Sequence, residues 1–159
     1  MPNILLTRID NRLIHGQVAT QWTNHIGANL LLVANDKVAK DKMRQGLMDM
    51  AAPNGVATRY FSIQKTIDVI GKAADRQKIF LICETPQDVL RLVEGGVPID
   101  KVNIGNMHMA EGKRVVVGVV AVDDDDVETF KKLRDKGIEL EIRKVPSENK
   151  ENIDKLFNN

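Results

Sequence analysis

Two short apolar runs set the strongest limit on how this chain of 159 residues can fold. Residues 29–34 (NLLLVA) and Lys78–Cys83 (KIFLIC) are continuously apolar and do not alternate with polar residues. Such a strand is apolar on both of its faces, as are strands of a parallel sheet that helices cover on both sides. The two runs therefore predict a buried, mostly parallel sheet.

The segments around these runs have apolar residues at helical spacing. Two predicted helices have the apolar faces Ala39, Met43, Leu47 and Met50 in the first, and Ile63, Ile67, Ile70 and Ala74 in the second. Residues 56–61 are the predicted strand between them, and Ser62 is a predicted N-cap. A third helix is predicted from Thr85, a capping hydroxyl, to Gly95. We interpret Met43, Met48 and Met50 as core side chains.

The second half of the chain continues the alternation of strands and helices. Lys101–Asn106 and residues 115–122 are predicted strands, and the four aspartates at 123–126 begin a helix whose dipole they complement. Residues 138–143 alternate apolar and charged side chains, which predicts a half-exposed strand at a sheet edge. We therefore predict an α/β fold, a three-layer sandwich with a mostly parallel central sheet, helices on both faces and an antiparallel edge strand. We take residues 1–159 as a single domain.

Another apolar run, at residues 4–6, leads into a short charged loop. Residues 4–6 precede Arg8, Asp10, Arg12 and His15, and Gly16 opens a stretch with helical spacing. Ligands of open α/β sheets bind beyond the carboxyl ends of strands, and the start of a helix favours anions. The flanking arginines favour the neutral, nucleophilic form of the imidazole.

This order of strand, charged loop and helix predicts an anion site. Arg8, Arg12 and the helix-start amides of Gly16 and Gln17 would bind a phosphate there, and Asp10 would orient the imidazole of His15 or an arginine. These residues alone leave open whether the loop only binds an anion or also reacts with it.

The string RIDNRLIHGQV at residues 8–18 resembles the signature of the IIB components of the mannose/fructose/sorbose family of the sugar phosphotransferase system. Similar stretches are LVEGGV at 92–97, VNIGNM at 102–107, AVDDDDVETFKKL at 121–133 and GIELEIRKV at 137–145, so the resemblance covers nearly the whole chain. It implies that His15 is the phosphorylated histidine, Arg12 the arginine that steadies the phosphoryl group, and Asp10 the loop carboxylate. Asn11 stands where the family often has a second aspartate.

The resemblance also implies the reaction and the partners. A IIA phosphocarrier domain passes a phosphoryl group to His15, which passes it to a sugar presented by membrane IIC and IID subunits. No cofactor and no metal is required. VANDKVA at 33–39 and NMH at 106–108 resemble the N-acetylgalactosamine branch most, so we expect that amino sugar or a related hexose as substrate.

A second interpretation needs no reaction. The chain would then be a regulatory α/β module in which Arg8 and Arg12 hold a phosphate or another anion without transferring it. His15 discriminates between the two interpretations, because a pure binding protein would tolerate asparagine or glutamine at that position.

The composition argues against several classes of protein. The chain has 23 Lys and Arg against 22 Asp and Glu, a net charge of +1 that argues against a protein that binds nucleic acid through bulk charge. Cys83 is the single cysteine, so no disulfide can form within the chain. No apolar run approaches the roughly 18 residues of a membrane span, and we expect a cytoplasmic protein without direct membrane insertion.

Three further side chains are candidates for the site. Asn106 and His108 follow the predicted strand at 101–106 and would form a second loop facing His15, with an ordinary loop histidine as the alternative for His108. We interpret Trp22 as a core residue of the first helix.

Overall fold

The computed structural model describes residues 2–157, and within them the chain forms eight strands and five α-helices. The strands are β1 (Asn3–Asp10), β2 (Leu30–Ala34), β3 (Ala57–Phe61), β4 (Lys78–Cys83), β5 (Lys101–Asn106), β6 (Arg114–Val117), β7 (Val120–Val122) and β8 (Glu139–Ile142). The helices are α1 (Gly16–Ile26), α2 (Lys42–Ala51), α3 (Ile63–Val69), α4 (Pro86–Glu94) and α5 (Asp124–Asp135). Short 3-10 helices occur at Val38–Lys40, Ile70–Lys72 and Ile153–Leu156.

Six strands form one sheet in the order β3-β2-β4-β1-β5-β8, and each neighbouring pair is parallel. Side chains from α1 and α2 pack on one face, and side chains from α3, α4 and α5 pack on the other. Leu31 and Val33 of β2 belong to the first core, whereas Leu30 and Leu32 belong to the second. This division confirms the predicted three-layer α/β sandwich and explains why the strand at 29–34 is apolar throughout.

The edge strand β8 is parallel to β5, so the predicted antiparallel edge strand is wrong. Helix α5 returns the chain across the sheet before β8 begins, and alternation of polar and apolar residues reports which face is exposed, not strand direction. The alternation also misplaces Glu141, which is only 4% exposed. Asn103 of β5 lies opposite Glu141 in the register and donates a hydrogen bond to its carboxylate.

Residues 115–122 form part of a hairpin and not one strand. β6 and β7 pair in antiparallel fashion outside the main sheet. Gly118, with φ of 53°, lies in the turn between them, where a residue without a side chain is favoured. A bridge between Met107 and Val120 places the hairpin beside the carboxyl end of β5.

The predicted helix starts are confirmed by side-chain caps. Ser62 accepts a hydrogen bond from the N–H of Lys65, and Thr85 accepts one from Asp88. Asp123 and Asp126 form a reciprocal capping box at the start of α5. No helix in the described part of the chain is long and apolar enough to cross a membrane.

Helix α2 turns its predicted apolar face away from the core. Met48 is 6% exposed, whereas Met43, Leu47 and Met50 are 79%, 62% and 84% exposed. The prediction of Met43 and Met50 as core side chains is therefore wrong. Helical spacing shows which residues share a face, but not whether that face meets the sheet.

Candidate functional site

The candidate site lies at the carboxyl end of β1, between β4 and β5 near the middle of the sheet. Residues 11–15 form the loop from β1 to α1. Leu13 and Ile14 are each 3% exposed and pack into the core on the α1 side. Leu13 has φ of 61°, a left-handed conformation that is unfavourable for a leucine and is held by its buried side chain. These two anchors fix the loop while Arg12 and His15 remain accessible to solvent.

Asp10, the last residue of β1, joins the charged groups of the site. Its carboxylate is 1% exposed. Oδ1 accepts a hydrogen bond from the backbone N–H of Arg12 at 3.0 Å, and Oδ2 accepts one from Arg8 Nη2 at 3.1 Å. Oδ2 also lies 3.0 Å from His15 Nε2.

These contacts keep the carboxylate ionised. Burial raises the pKa of Asp10, but the hydrogen bond from His15, the charge of Arg8 and the Arg12 amide together outweigh burial, so its pKa lies below the ordinary value of 3.8. An ionised carboxylate can only accept hydrogen bonds. Nε2 of His15 therefore carries the hydrogen in its contact with Asp10, and the neutral ring has its lone pair on Nδ1.

The surroundings of His15 suit an anion. His15 is the N-cap residue of α1, and its side chain is 21% exposed. Gly16 and Gln17 follow as the first residues of the helix, and both are exposed. The N–H groups of a first helical turn have no acceptor within the helix, so they can bind an anion that sits on His15.

The two arginines of the loop sequence occupy different environments. Arg12 is 47% exposed, with Nε 3.8 Å from Oδ1 of Asp10, the carboxylate that His15 also contacts. Arg8 is 2% exposed and lies over the ring of Trp22, with Cζ 5.5 Å from the ring centroid. Trp22 is itself 2% exposed, which confirms it as a core residue. The position of Arg8 supports contact with Asp10 and not the direct phosphate contact expected from the sequence.

The structure brings Asn106 to the loop. Its side-chain amide donates a hydrogen bond to Asn11 Oδ1, and its carbonyl accepts one from the Asn11 N–H at 3.1 Å. His108 is exposed and lines a cavity of about 190 Å³ together with Asn11 and Lys113. No hydrogen bond joins His108 to His15 within residues 2–157.

Three residues that support Arg8 were missed by the sequence reasoning. Asn103 is fully buried and accepts a hydrogen bond from Arg8 Nη1 at 2.6 Å. Glu141 contacts Asn103, and Gly105 leaves room for the Arg8 guanidinium, which a side chain at position 105 would overlap. A polar residue inside the otherwise apolar strand at 101–106 was a usable signal for Asn103. Glu141 gave no such signal, because its alternating strand predicted exposure.

Fold and site together define an α/β protein with a candidate phosphoryl-accepting histidine at the end of a central strand. The Nε2 of this histidine contacts the buried Asp10 carboxylate, and the exposed Arg12 approaches the same carboxylate. The described residues contain no group of three or more His, Cys, Asp or Glu side chains arranged to hold a metal ion.

Comparison with known proteins identifies the family of the chain. The family described as "PTS system sorbose subfamily IIB component" matches residues 4–159. The chain belongs to this family.

Individual relatives agree with this assignment. The chain is 52% identical to the N-acetylgalactosamine-specific phosphotransferase enzyme IIB component 2 of Escherichia coli (strain K12), over 99% of this chain and 100% of that protein. The crystal structure of the N-acetylgalactosamine-specific IIB component 1 from Escherichia coli superposes with a TM-score of 0.92 at 54% identity, covering 95% of this chain and 99% of that one. The mannose-specific EIIAB component of Escherichia coli (strain K12) is 45% identical over 91% of this chain and 45% of its own length.

As a IIB component, the chain is a phosphotransferase that carries a phosphoryl group in sugar uptake. The alternative of a non-catalytic anion-binding module is not favoured by these matches. IIB components work with IIA and membrane partners, and the mannose-specific EIIAB relative is named for A and B components in one protein.

Proposed function

We propose that His15 accepts a phosphoryl group on Nδ1 from a phosphohistidine of a IIA domain, and then passes it to a sugar presented by membrane IIC and IID subunits. The observation that carries this proposal is the 3.0 Å contact between His15 Nε2 and Asp10 Oδ2. It keeps the hydrogen on Nε2 and leaves the lone pair of Nδ1 for attack on phosphorus.

In the first transfer, the bond from phosphorus to the donor imidazole breaks as the bond to Nδ1 forms. The ring of His15 gains positive charge in this step, and the Asp10 carboxylate offsets that charge. In the second transfer, a sugar hydroxyl attacks phosphorus as the bond to Nδ1 breaks. The electron pair of that bond returns to the His15 ring, and the hydroxyl proton is released to solvent.

Arg12 and the amides of Gly16 and Gln17 bind the phosphoryl oxygens in both steps. Hydrogen bonds of this charge-assisted kind contribute about 1.5–3 kcal/mol each. Phosphoryl transfer depends mainly on positioning and charge stabilisation, so this loop needs no covalent assistance beyond the histidine.

For the substrate, the proposal is N-acetylgalactosamine or a related hexose. Its support is the N-acetylgalactosamine specificity of the two Escherichia coli relatives that are 52% and 54% identical over nearly their full length. Residues 1–159 are then one IIB domain that works in the cytoplasm. The family match over residues 4–159 supports the single domain.

Transfer of label from ³²P-phosphorylated IIA tests the proposal. We expect one acid-labile phosphate per chain, abolished in His15→Ala. The label should be retained in two control variants, His108→Ala and His25→Ala, the latter in the last turn of α1. Addition of membranes that contain IIC and IID should then discharge the label onto N-acetylgalactosamine faster than onto mannose. Label that persists in His15→Ala would refute the acceptor, whereas discharge onto mannose alone would refute only the sugar.

A further inference from the structure

A continuous line of buried polar contacts runs from the edge strand β8 to His15. We call Glu141, Asn103, Arg8 and Asp10 the polar line. Glu141 Oε1 accepts a hydrogen bond from Asn103 Nδ2 at 3.1 Å, and Asn103 Oδ1 accepts one from Arg8 Nη1 at 2.6 Å. Arg8 Nη2 donates to Asp10 Oδ2 at 3.1 Å, and the same oxygen lies 3.0 Å from His15 Nε2. The polar line crosses β8, β5 and β1 and ends at the acceptor histidine.

Burial makes these contacts depend on one another. Each of the four side chains is 4% exposed or less. Water cannot replace a lost partner at such positions, so removal of one partner forces the others to rearrange or to remain unpaired.

Two hydrogen bonds from Nδ2 fix the orientation of the Asn103 amide. Its Nδ2 donates to Glu141 Oε1 and to the backbone carbonyl of Arg143, both at 3.1 Å. An amide nitrogen only donates and an amide oxygen only accepts. With two acceptors on the Nδ2 side, Oδ1 must face the guanidinium of Arg8.

The outer end of the polar line is held by cations. Glu141 Oε2 has no hydrogen-bond partner among the described residues, but it lies 3.5 Å from Lys101 Nζ and 3.3 Å from Lys150 Nζ. These two ammonium groups offset the carboxylate charge and hold it against Asn103.

We propose that Asn103 and Glu141 are positioning residues for phosphoryl transfer. Glu141 orients the Asn103 amide, Asn103 holds the Arg8 guanidinium, and Arg8 holds the Asp10 carboxylate where it accepts the Nε2 hydrogen of His15. Nδ1 then keeps its lone pair and its direction toward the phosphoryl donor. This inference rests on the proposed role of His15 as acceptor, and it adds two residues that do not touch the reacting atoms.

A purely structural role for the same contacts makes a different prediction. It would lower the stability of β8 against β5 without changing the proton position or the reactivity of His15. The state of the His15 ring therefore separates the two roles, and ¹⁵N NMR of its imidazole observes that state directly. When one ring nitrogen keeps the hydrogen, the two ¹⁵N signals are far apart, and they move toward each other when the hydrogen exchanges between the nitrogens.

Three substitutions of Glu141 and one control test the proposal in the full chain. Glu141→Ala removes one of the two acceptors of Asn103 Nδ2, Glu141→Leu removes it while filling the space, and Glu141→Gln keeps an oxygen that accepts from Asn103. The control is Glu139→Ala, because Glu139 lies on the same strand and also pairs with Lys101, at 3.6 Å, but does not contact Asn103. Each variant is assayed for the rate of label transfer from phosphorylated IIA, for its thermal midpoint, and for the ¹⁵N signals of His15 at a pH where the ring is neutral.

We expect Glu141→Ala and Glu141→Leu to slow transfer by about 10- to 100-fold, the range for a displaced catalytic group, and to bring the two ¹⁵N signals together. Glu141→Gln and Glu139→Ala should keep transfer within about threefold of wild type and leave the signals apart. Wild-type transfer in a folded Glu141→Ala or Glu141→Leu chain would overturn the proposal, as would loss of the fold in both. Failure of the wild-type chain to label on His15 would instead refute the proposed acceptor.

Discussion

The guanidinium of Arg8 lies against the backbone of Gly105, so close that a Cβ at position 105 would overlap it. Gly105 belongs to β5, whose carboxyl end also bears Asn106 of the site. Glycine is thus required here for a close approach of a side chain to a strand and not for an unusual backbone angle. The fit lets Arg8 reach Asp10 beneath the loop.

Gly105→Ala should therefore damage both stability and transfer. The added methyl group must displace the Arg8 guanidinium, and overpacking of this kind costs about 1–3 kcal/mol of unfolding free energy. Because displaced Arg8 no longer holds Asp10, we expect the rate of transfer from phosphorylated IIA to fall about tenfold or more. Urea unfolding and the label-transfer assay measure the two effects.

Gly95→Ala is a matched control for overpacking. A Cβ at Gly95 would meet the side chain of Ile67, between α4 and α3 on the other face of the sheet. This variant should lose stability but transfer at the wild-type rate once folded. Equal losses of transfer in the two variants would show that general destabilisation, and not Arg8, limits the reaction.

Arg12→Ala should slow transfer with little effect on folding. Arg12 is 47% exposed, and its 3.8 Å approach to Asp10 is the kind of exposed ion pair that contributes little to stability. Loss of one preorganised donor to the phosphoryl group raises the barrier by about 2–4 kcal/mol, which is roughly a 30- to 1,000-fold drop in rate. Single-turnover label transfer and the thermal midpoint provide the two readings.

An exposed arginine at the other end of the sheet controls for net charge. Arg76 precedes β4 and is exposed, so Arg76→Ala removes the same charge away from the loop. It should transfer at the wild-type rate. A comparable slowing in both variants would point to long-range attraction between IIA and the chain as the cause.

Most of the fold could be predicted from the sequence because its strongest signals are local. Continuous apolar strands and capping residues such as Ser62 and Thr85 report directly on burial and helix starts. Strand direction at the edge, the turn at Gly118 and the outward face of α2 depend on tertiary packing, which periodicity does not encode. These are the places where the predictions fail.

The candidate site likewise has features that the sequence predicts and features that it does not. The string around His15 predicted the loop and its position at a strand end, because loop, strand and helix are consecutive in sequence. The separation of the two arginines, with Arg12 exposed and Arg8 buried, was not predictable, since Arg8 is enclosed by Asn103 and Trp22 from distant segments. A charged residue at the end of a strand is as compatible with burial beneath a loop as with exposure on it.

The stabilisation that the ionised Asp10 carboxylate provides should be lost in acid. Its pKa in the folded chain is lower than its ordinary value of 3.8, mainly because the contacts with His15 and Arg8 outweigh burial. A carboxyl with a lowered folded pKa stabilises the fold above its unfolded pKa, and that contribution is lost as pH falls through the folded pKa. The difference in unfolding free energy between wild type and Asp10→Asn should therefore be constant near neutral pH and shrink below about pH 4. Urea unfolding of both chains at a series of pH values measures it, and a difference that stays constant into acid would contradict the assignment.

The exposed side of the loop is small, and both the IIA domain and the membrane subunits must reach His15 through it. Open-ended pairing along the edge strand β8 is disfavoured, because Glu139 is 64% exposed there and the segment at Glu151 bridges to Ile142. We therefore expect any self-association to leave the solvent-accessible residues Arg12 and 15–17 uncovered, and the two partners to compete for that one surface.

Titration of the ¹⁵N-labelled chain with unphosphorylated IIA tests this expectation. Backbone amide shifts should change within residues 11–17 and in the loop after Asn106, which contacts Asn11. Membranes that contain IIC and IID should reverse those changes, because a transient contact of modest area is displaced by a competitor for the same residues. Membranes that lack the two subunits are the control and should reverse nothing. Shift changes that cluster on α2, where Met43 and Met50 are exposed, while the loop stays unperturbed would show that IIA docks elsewhere.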